Sequence, residues 1–322
     1  MITTSVCELL KIRVPIVGAS LGPWSTPELV ATISNTGAIG SLGAVLRAPD
    51  QVRTEIRRVR ELTERPFIVN FSKRPFNQEA FDVALDERVP VVSLAHARPG
   101  DLPARAHDTG ATFVHMVHSV SQAVEAVEDG ADVIIAQGSE AGGFSGTVST
   151  LCLLPQVVDA ISPTPVLAAG GIADGRGLAV TLLLGGAGVN IGTRFVASTE
   201  SGVSQDWKRR IVAARSEDAV QITFADAFIP IVPGTYEARP RVLRTPFVER
   251  WNDRPEEALE HGASLAGEVI PLVRERKGDD LIAFTGQTAG LISDVKPVAE
   301  IIQDMMDEAE EILSAAPKLL SG

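Results

Sequence analysis

The chain has two cysteines and one tyrosine in 322 residues, and fewer basic than acidic side chains. Cys7 and Cys152 lie far apart, without metal-ligand spacing or histidine partners. They read as reduced, packed thiols, and nothing in the sequence supports a metal site. With 29 Lys and Arg against 41 Asp and Glu, the net charge of −12 leaves no basic excess to neutralise a nucleic-acid backbone. The arginines at 53, 57, 58 and 60 alternate with Glu55 and Glu61, as on a solvated helix face. No stretch reaches the roughly 18 uncharged apolar residues that a membrane span needs. The first ten residues also lack the basic-then-apolar pattern of a secretory signal, so a cytoplasmic protein is expected. There is no solenoid repeat and no low-complexity segment.

What the chain does have is alternation. Short apolar runs at Ile16–Ala19, Ile39–Ser41, Phe67–Asn70, Val89–Ser93, Thr112–Val117, Val133–Gln137, Val166–Ala169 and Val189–Gly192 read as buried parallel strands. Helical patterns near 27–35, 50–63, 78–86, 101–108, 120–129, 154–161 and 174–184 separate them. Strands that alternate with helices imply right-handed βαβ crossovers. Eight of them closing on themselves give an α/β fold of the (β/α)8 TIM-barrel type. A doubly wound open sheet is the alternative, but its dinucleotide fingerprint is absent after the first strand. After Phe195 the pattern changes. Residues 200–296 are expected to form a mainly helical insertion across the barrel mouth, with residues 1–199 and 297–322 forming the barrel.

Three blocks end in glycines or small polar groups: A-Q-G-S-E-A-G-G-F-S-G at 136–146, P-V-L-A-A-G-G-I-A-D-G-R-G at 165–177, and G-V-N-I-G-T-R-F at 188–195. They fall at the carboxyl ends of predicted strands, where parallel sheets place ligands. Gly170 and Gly171 open a helix whose N–H groups and dipole can meet a phosphate, and Gly192 and Thr193 offer the same from the next strand. One such pair alone is no more than a tight turn. Two on consecutive strands favour phosphate binding.

These blocks resemble the nitronate monooxygenase family, formerly called 2-nitropropane dioxygenases, within a wider group that includes flavin-dependent enoyl reductases. Pro15–Gly43 is similar to the family's opening segment and Gly286–Ile292 (G-Q-T-A-G-L-I) to its closing one, so the resemblance covers nearly the whole chain. It implies a bound FMN. The residues matching the family's flavin contacts are Asn70, Gln137, Gly142, Gly170, Gly171 and the run Asn190, Ile191, Gly192, Thr193. Carboxamides such as Asn70 and Gln137 give donors and acceptors to a flavin edge without adding charge. Arg194 would add a charge there or pair with a carboxylate outside. Glu140 is expected to shape its loop by accepting N–H bonds.

One departure concerns the chemistry. The family typically carries a histidine after E-A-G-G, where it removes the α-proton of a neutral nitroalkane. Here that position is Phe144. A nitronate is already deprotonated and needs no such base. Phe144, Met116 and Leu21 would line a more apolar substrate face. Among the five histidines, strand alternation puts Val114, Met116 and His118 on one face and His115 on the other. His118 is therefore a candidate acid/base and His96 a second, each competing with a plain loop-capping role. The resemblance implies an FMN-dependent oxidoreductase that oxidises alkyl nitronates with O2, and the departure at Phe144 leads to the expectation of weak activity on neutral nitroalkanes. An NAD(P)H-dependent ene-reductase and a catalytically silent flavin binder are the alternatives. The expected partners are a small-molecule substrate and O2, without nucleic acid or membrane, in a monomer or homodimer.

Overall fold

The structure, a computed structural model, describes residues 2–229 and 232–320. In chain order its strands are β1 (Ile16–Gly18), β2 (Ser41–Gly43), β3 (Ile68–Ser72), β4 (Val91–Ala95), β5 (Thr112–Val117), β6 (Val133–Gln137), β7 (Gly143–Ser145), β8 (Val166–Ala169), β9 (Gly188–Ile191), β10 (Ala219–Gln221) and β11 (Arg239–Leu243). Eight of these form one parallel sheet in the order β1-β9-β8-β6-β5-β4-β3-β2. A parallel bridge between Val17 and Ile39 brings its two ends together, with the Gly18 N–H donating to the Ile39 carbonyl at 2.8 Å. The result is the expected (β/α)8 barrel.

The apolar runs work on both faces. On β5, Val114 and Met116 point to the barrel interior with Val17, Ile68, Val91, Val133 and Leu167. Phe113 and Val117 point outward into the layer shared with the helices. Val6, Cys7 and Leu10 of the short helix Ser5–Leu10 join the interior cluster and plug the barrel at the end away from the glycine loops.

The outer helices begin on side-chain caps: Thr26 for Pro27–Asn35, Asn77 for Gln78–Asp86, Ser119 for Val120–Glu128 and Asp174 for Gly175–Leu183. The last long helix, Val298–Ala315, lies against Gly175–Leu183. Its closeness explains Gly175, where a Cβ would sit 2.5 Å from the Met305 carbonyl oxygen.

One expectation is corrected. The second strand is Ser41–Gly43 rather than Ile39–Ser41, because Ile39 contributes only the closing bridge and Gly40 packs against the Val30 backbone. Residues 200–296 carry the helices Gln205–Ala213, Pro246–Asn252, Pro255–Glu260 and Gly262–Arg274, but also β10 and β11. These two strands join β7 in an antiparallel sheet of order β10-β11-β7. Trp207, Phe224, Val242, Val269 and Ile282 form this region's own apolar cluster.

Candidate active site

A cavity of about 490 Å³ opens at the carboxyl ends of the barrel strands, beneath the 200–296 region. Its floor gathers residues that are distant in sequence. Asn70 of β3, Met116 of β5, Gln137 of β6, Asn190 of β9, and Gly142, Gly170, Gly192 and Thr193 beyond the strand ends all line it. Leu21 and Phe144 line it as well. Its far wall is apolar, built from Trp24, Trp207, Val269, Ile270, Val273 and Phe284.

The polar floor is pre-oriented. The Asn70 amide donates to the Ser93 hydroxyl at 2.8 Å. Gln137 Oε1 accepts from His118 Nε2 at 2.8 Å. A carboxamide oxygen can only accept, so this contact fixes the His118 proton on Nε2 and leaves the Gln137 amine for another partner.

The glycine loops have the backbone that a phosphate cradle requires. Gly170 and Gly171 adopt φ of +92° and +76°, a region that favours glycine. A Cβ on Gly170 would stand 3.0 Å from the Ala141 nitrogen and 3.1 Å from Thr150 Oγ1. Among the described residues, none accepts from the backbone N–H of Gly170 or Gly192. These donors, with Asn70, Gln137 and Asn190 beside them, fit the phosphate and ring edge of a flavin mononucleotide. Thr193 Oγ1 accepts from the Gly286 N–H at 2.9 Å, which ties the G-Q-T-A-G-L-I segment to this floor. Arg194 turns away and pairs with Asp294 at 3.0 Å, so it brings no charge to the cavity. Glu140 accepts from the Thr150 N–H and hydroxyl at 3.0 Å each and shapes its loop.

Three predicted site residues sit elsewhere than expected. Ile191 alternates with Asn190 and Gly192, so its side chain enters the sheet–helix layer instead of the cavity. Gly171 is exposed on the helix side of its turn and does not line the cavity. His118 lies one residue beyond β5, buried behind Gln137, and does not line the cavity either. Burial pushes its pKa down to about 4, opposed by the Gln137 hydrogen bond, so it is neutral at ordinary pH.

His96 is the histidine that lines the cavity. Its ring centre is 5.6 Å from that of Phe144, and its Nδ1 is 2.9 Å from Ser72 Oγ. Its backbone φ of +77° is costly for a side-chain-bearing residue, about 1–3 kcal/mol, and such strain concentrates at functional sites. The Tyr236 N–H, bonded to the His96 carbonyl at 2.7 Å, helps hold it there. Burial, then the nearby His118, Arg74 and His115, push its pKa down to about 3. His115 lies on the opposite face of β5, with Nε2 3.3 Å from the Tyr236 hydroxyl.

Sequence reading missed Arg74. It lies two residues beyond β3, lines the cavity, and places its guanidinium 4.9 Å from the centre of the Phe144 ring. A cation beside the carboxyl end of a barrel strand was the available signal.

The nitronate monooxygenase family model matches residues 3–79 and 72–308. The chain belongs to the nitronate monooxygenase family. It is 29% identical to a probable nitronate monooxygenase of Staphylococcus saprophyticus over 97% of this chain and 99% of that protein. It is 36% identical to a (3aS,4S,5R,7aS)-5-hydroxy-7a-methyl-1-oxo-octahydro-1H-indene-4-carboxyl-CoA dehydrogenase of Mycobacterium tuberculosis, over 77% of this chain and 68% of that one. Among solved structures, FabK from Thermotoga maritima superposes with a TM-score of 0.89 at 34% identity, covering 99% of this chain and 100% of that one. The chain is thus an oxidoreductase of a flavin-dependent kind. Among the described residues, no helix is long and apolar enough to cross a membrane.

Proposed function

We propose that this oxidoreductase binds FMN and oxidises alkyl nitronates with O2, while turning over neutral nitroalkanes poorly. The observation that carries the reading is the convergence of Asn70, Gln137, Gly142, Gly170, Asn190, Gly192 and Thr193 on one cavity whose cover is Phe144. Bound FMN would supply a two-electron acceptor. The chain's own part is to hold the phosphate on backbone N–H groups and to offer carboxamides to the ring edge. Leu21, Met116 and Phe144 keep water from the reacting carbon. No group at position 144 can take a proton, and His96, neutral and well below its ordinary pKa, is a poor base. A substrate that arrives deprotonated suits this arrangement.

The test is the visible spectrum of the purified protein before and after an alkyl nitronate is added without oxygen. Bleaching of a flavin band is expected. An unchanged flavin spectrum would overturn nitronate oxidation, and failure to bind FMN on reconstitution would overturn the cofactor assignment.

The apolar far wall favours a second reading, hydride exchange between a nicotinamide cofactor and a larger apolar acyl compound. The Mycobacterium relative, named for a carboxyl-CoA substrate, is consistent with it. Anaerobic bleaching by NAD(P)H, with none by nitronate, would decide for it.

A further inference from the structure

Among the described residues lining the cavity, Arg74 is the sole Lys or Arg, and no Asp or Glu lines it. The residue is 6% exposed, so its charge is held largely out of water. Its neutralisation is incomplete. The nearest carboxylate, Asp226, is 3.7 Å from Nη2 and about half exposed, and Nη1 donates to the Ala238 carbonyl at 3.3 Å. Nε is buried with no hydrogen-bond partner among the described residues. A desolvated, underpaired cation is costly to keep, and the cost falls when an anion enters beside it. Burial accordingly pulls the Arg74 pKa below its ordinary value. The Phe144 ring beneath the guanidinium cannot accept a proton, but its face stabilises the cation.

We infer that Arg74 is the residue that selects substrates here: its guanidinium receives a planar anionic group with two oxygens, a nitronate or a carboxylate, over the Phe144 ring. This rests on the nitronate reading above and deepens it. A site that lacks the base needed to make an anion would instead bind the anion ready-made. Planar two-oxygen anions match the guanidinium fork, and a neutral isostere would leave Arg74 unpaired.

The test uses the FMN-loaded protein and a matched pair of inert ligands, isobutyrate and isobutyramide. Flavin absorbance changes report binding, and tryptophan fluorescence from Trp24 and Trp207 on the cavity wall serves if the flavin signal is silent. Isobutyrate should bind the wild type about tenfold or more tightly than the amide, as expected for a charge-assisted contact. Arg74→Gln should remove that preference while leaving amide affinity and flavin content unchanged, and Arg74→Lys should restore part of it. Equal binding of the two ligands to the wild type would overturn the inference, as would a preference that survives in Arg74→Gln. If Arg74→Gln does not fold, the wild-type comparison and Arg74→Lys still decide. Carboxylate preference without flavin reduction by nitronate would sink the proposed reaction and leave the role of Arg74 standing. Flavin reduction without carboxylate preference would do the reverse.

Discussion

His118 Nε2 lies 2.8 Å from Gln137 Oε1, so the histidine grips the end of the carboxamide that cannot donate. Both side chains are buried, and their contact sets which way the Gln137 amine faces. On this geometry His118 acts through Gln137 and positions it. His118→Leu should weaken FMN binding about threefold to tenfold, the range for one net hydrogen bond, with turnover at saturating FMN nearly intact. A general acid/base would behave differently, losing about 10²–10⁴ in rate with FMN affinity unchanged. Flavin titration alongside steady-state kinetics separates the two.

Phe144→His places an imidazole where the family typically has one, beside His96 and under Arg74. Turnover of neutral nitroalkanes should rise, by up to about 10²–10⁴, while turnover of preformed nitronates changes little. Identical nitroalkane rates in the two proteins would count against the role given to this position.

The buried histidines make the fold sensitive to acid. Burial is the main cause that pushes His96 and His115 down to about 3 and His118 down to about 4. Unfolded, each titrates near 6.5. Between these limits the unfolded chain binds more protons than the folded one, so stability is full above about pH 6.5 and drains away as pH falls. Each group contributes at most about 1.4 kcal/mol per pH unit. Thermal midpoints measured from pH 7.5 to 5 should fall, and His115→Leu should flatten the slope. A variant with the wild-type slope would contradict this account.

Arg47 organises the loop that forms one cavity wall. It donates to the carbonyls of Gly22, Pro23, Ser25 and Gly43 and pairs with Glu55 at 2.7 Å. Arg276 joins the same carboxylate at 3.0 Å. Glu55→Ala would strand a buried guanidinium, and urea unfolding should show a loss of about 3–5 kcal/mol. A loss under about 1 kcal/mol would mean that the carbonyls alone satisfy Arg47.

Much of the barrel could be read from sequence because strands covered on both faces appear as continuous apolar runs. Thr112–Val117, Val133–Gln137 and Val166–Ala169 form with the predicted limits. The small sheet could not be read. Phe144 in β7 pairs with Pro240 in β11, and strands of three and five residues with such distant partners leave no local pattern. A proline in β11 and the glycine pair 142–143 at the start of β7 point away from strand when read alone. Side-chain direction past a strand's end was equally hidden. Alternation placed Met116 correctly, but one residue beyond β5 the chain has left the sheet, and His118 no longer follows its period.

The pairing of Phe144 with Pro240 has a mechanical consequence. The strand that carries the site's cover is stitched edge to edge to the region roofing the cavity. Any hinge motion that lifts the roof to admit a substrate must either drag Phe144 with it or unzip β7 from β11. Access and the shape of the reacting pocket are therefore geared together, and a substitution at Arg239 or Arg241, beyond the rim of the cavity, would be felt at its centre.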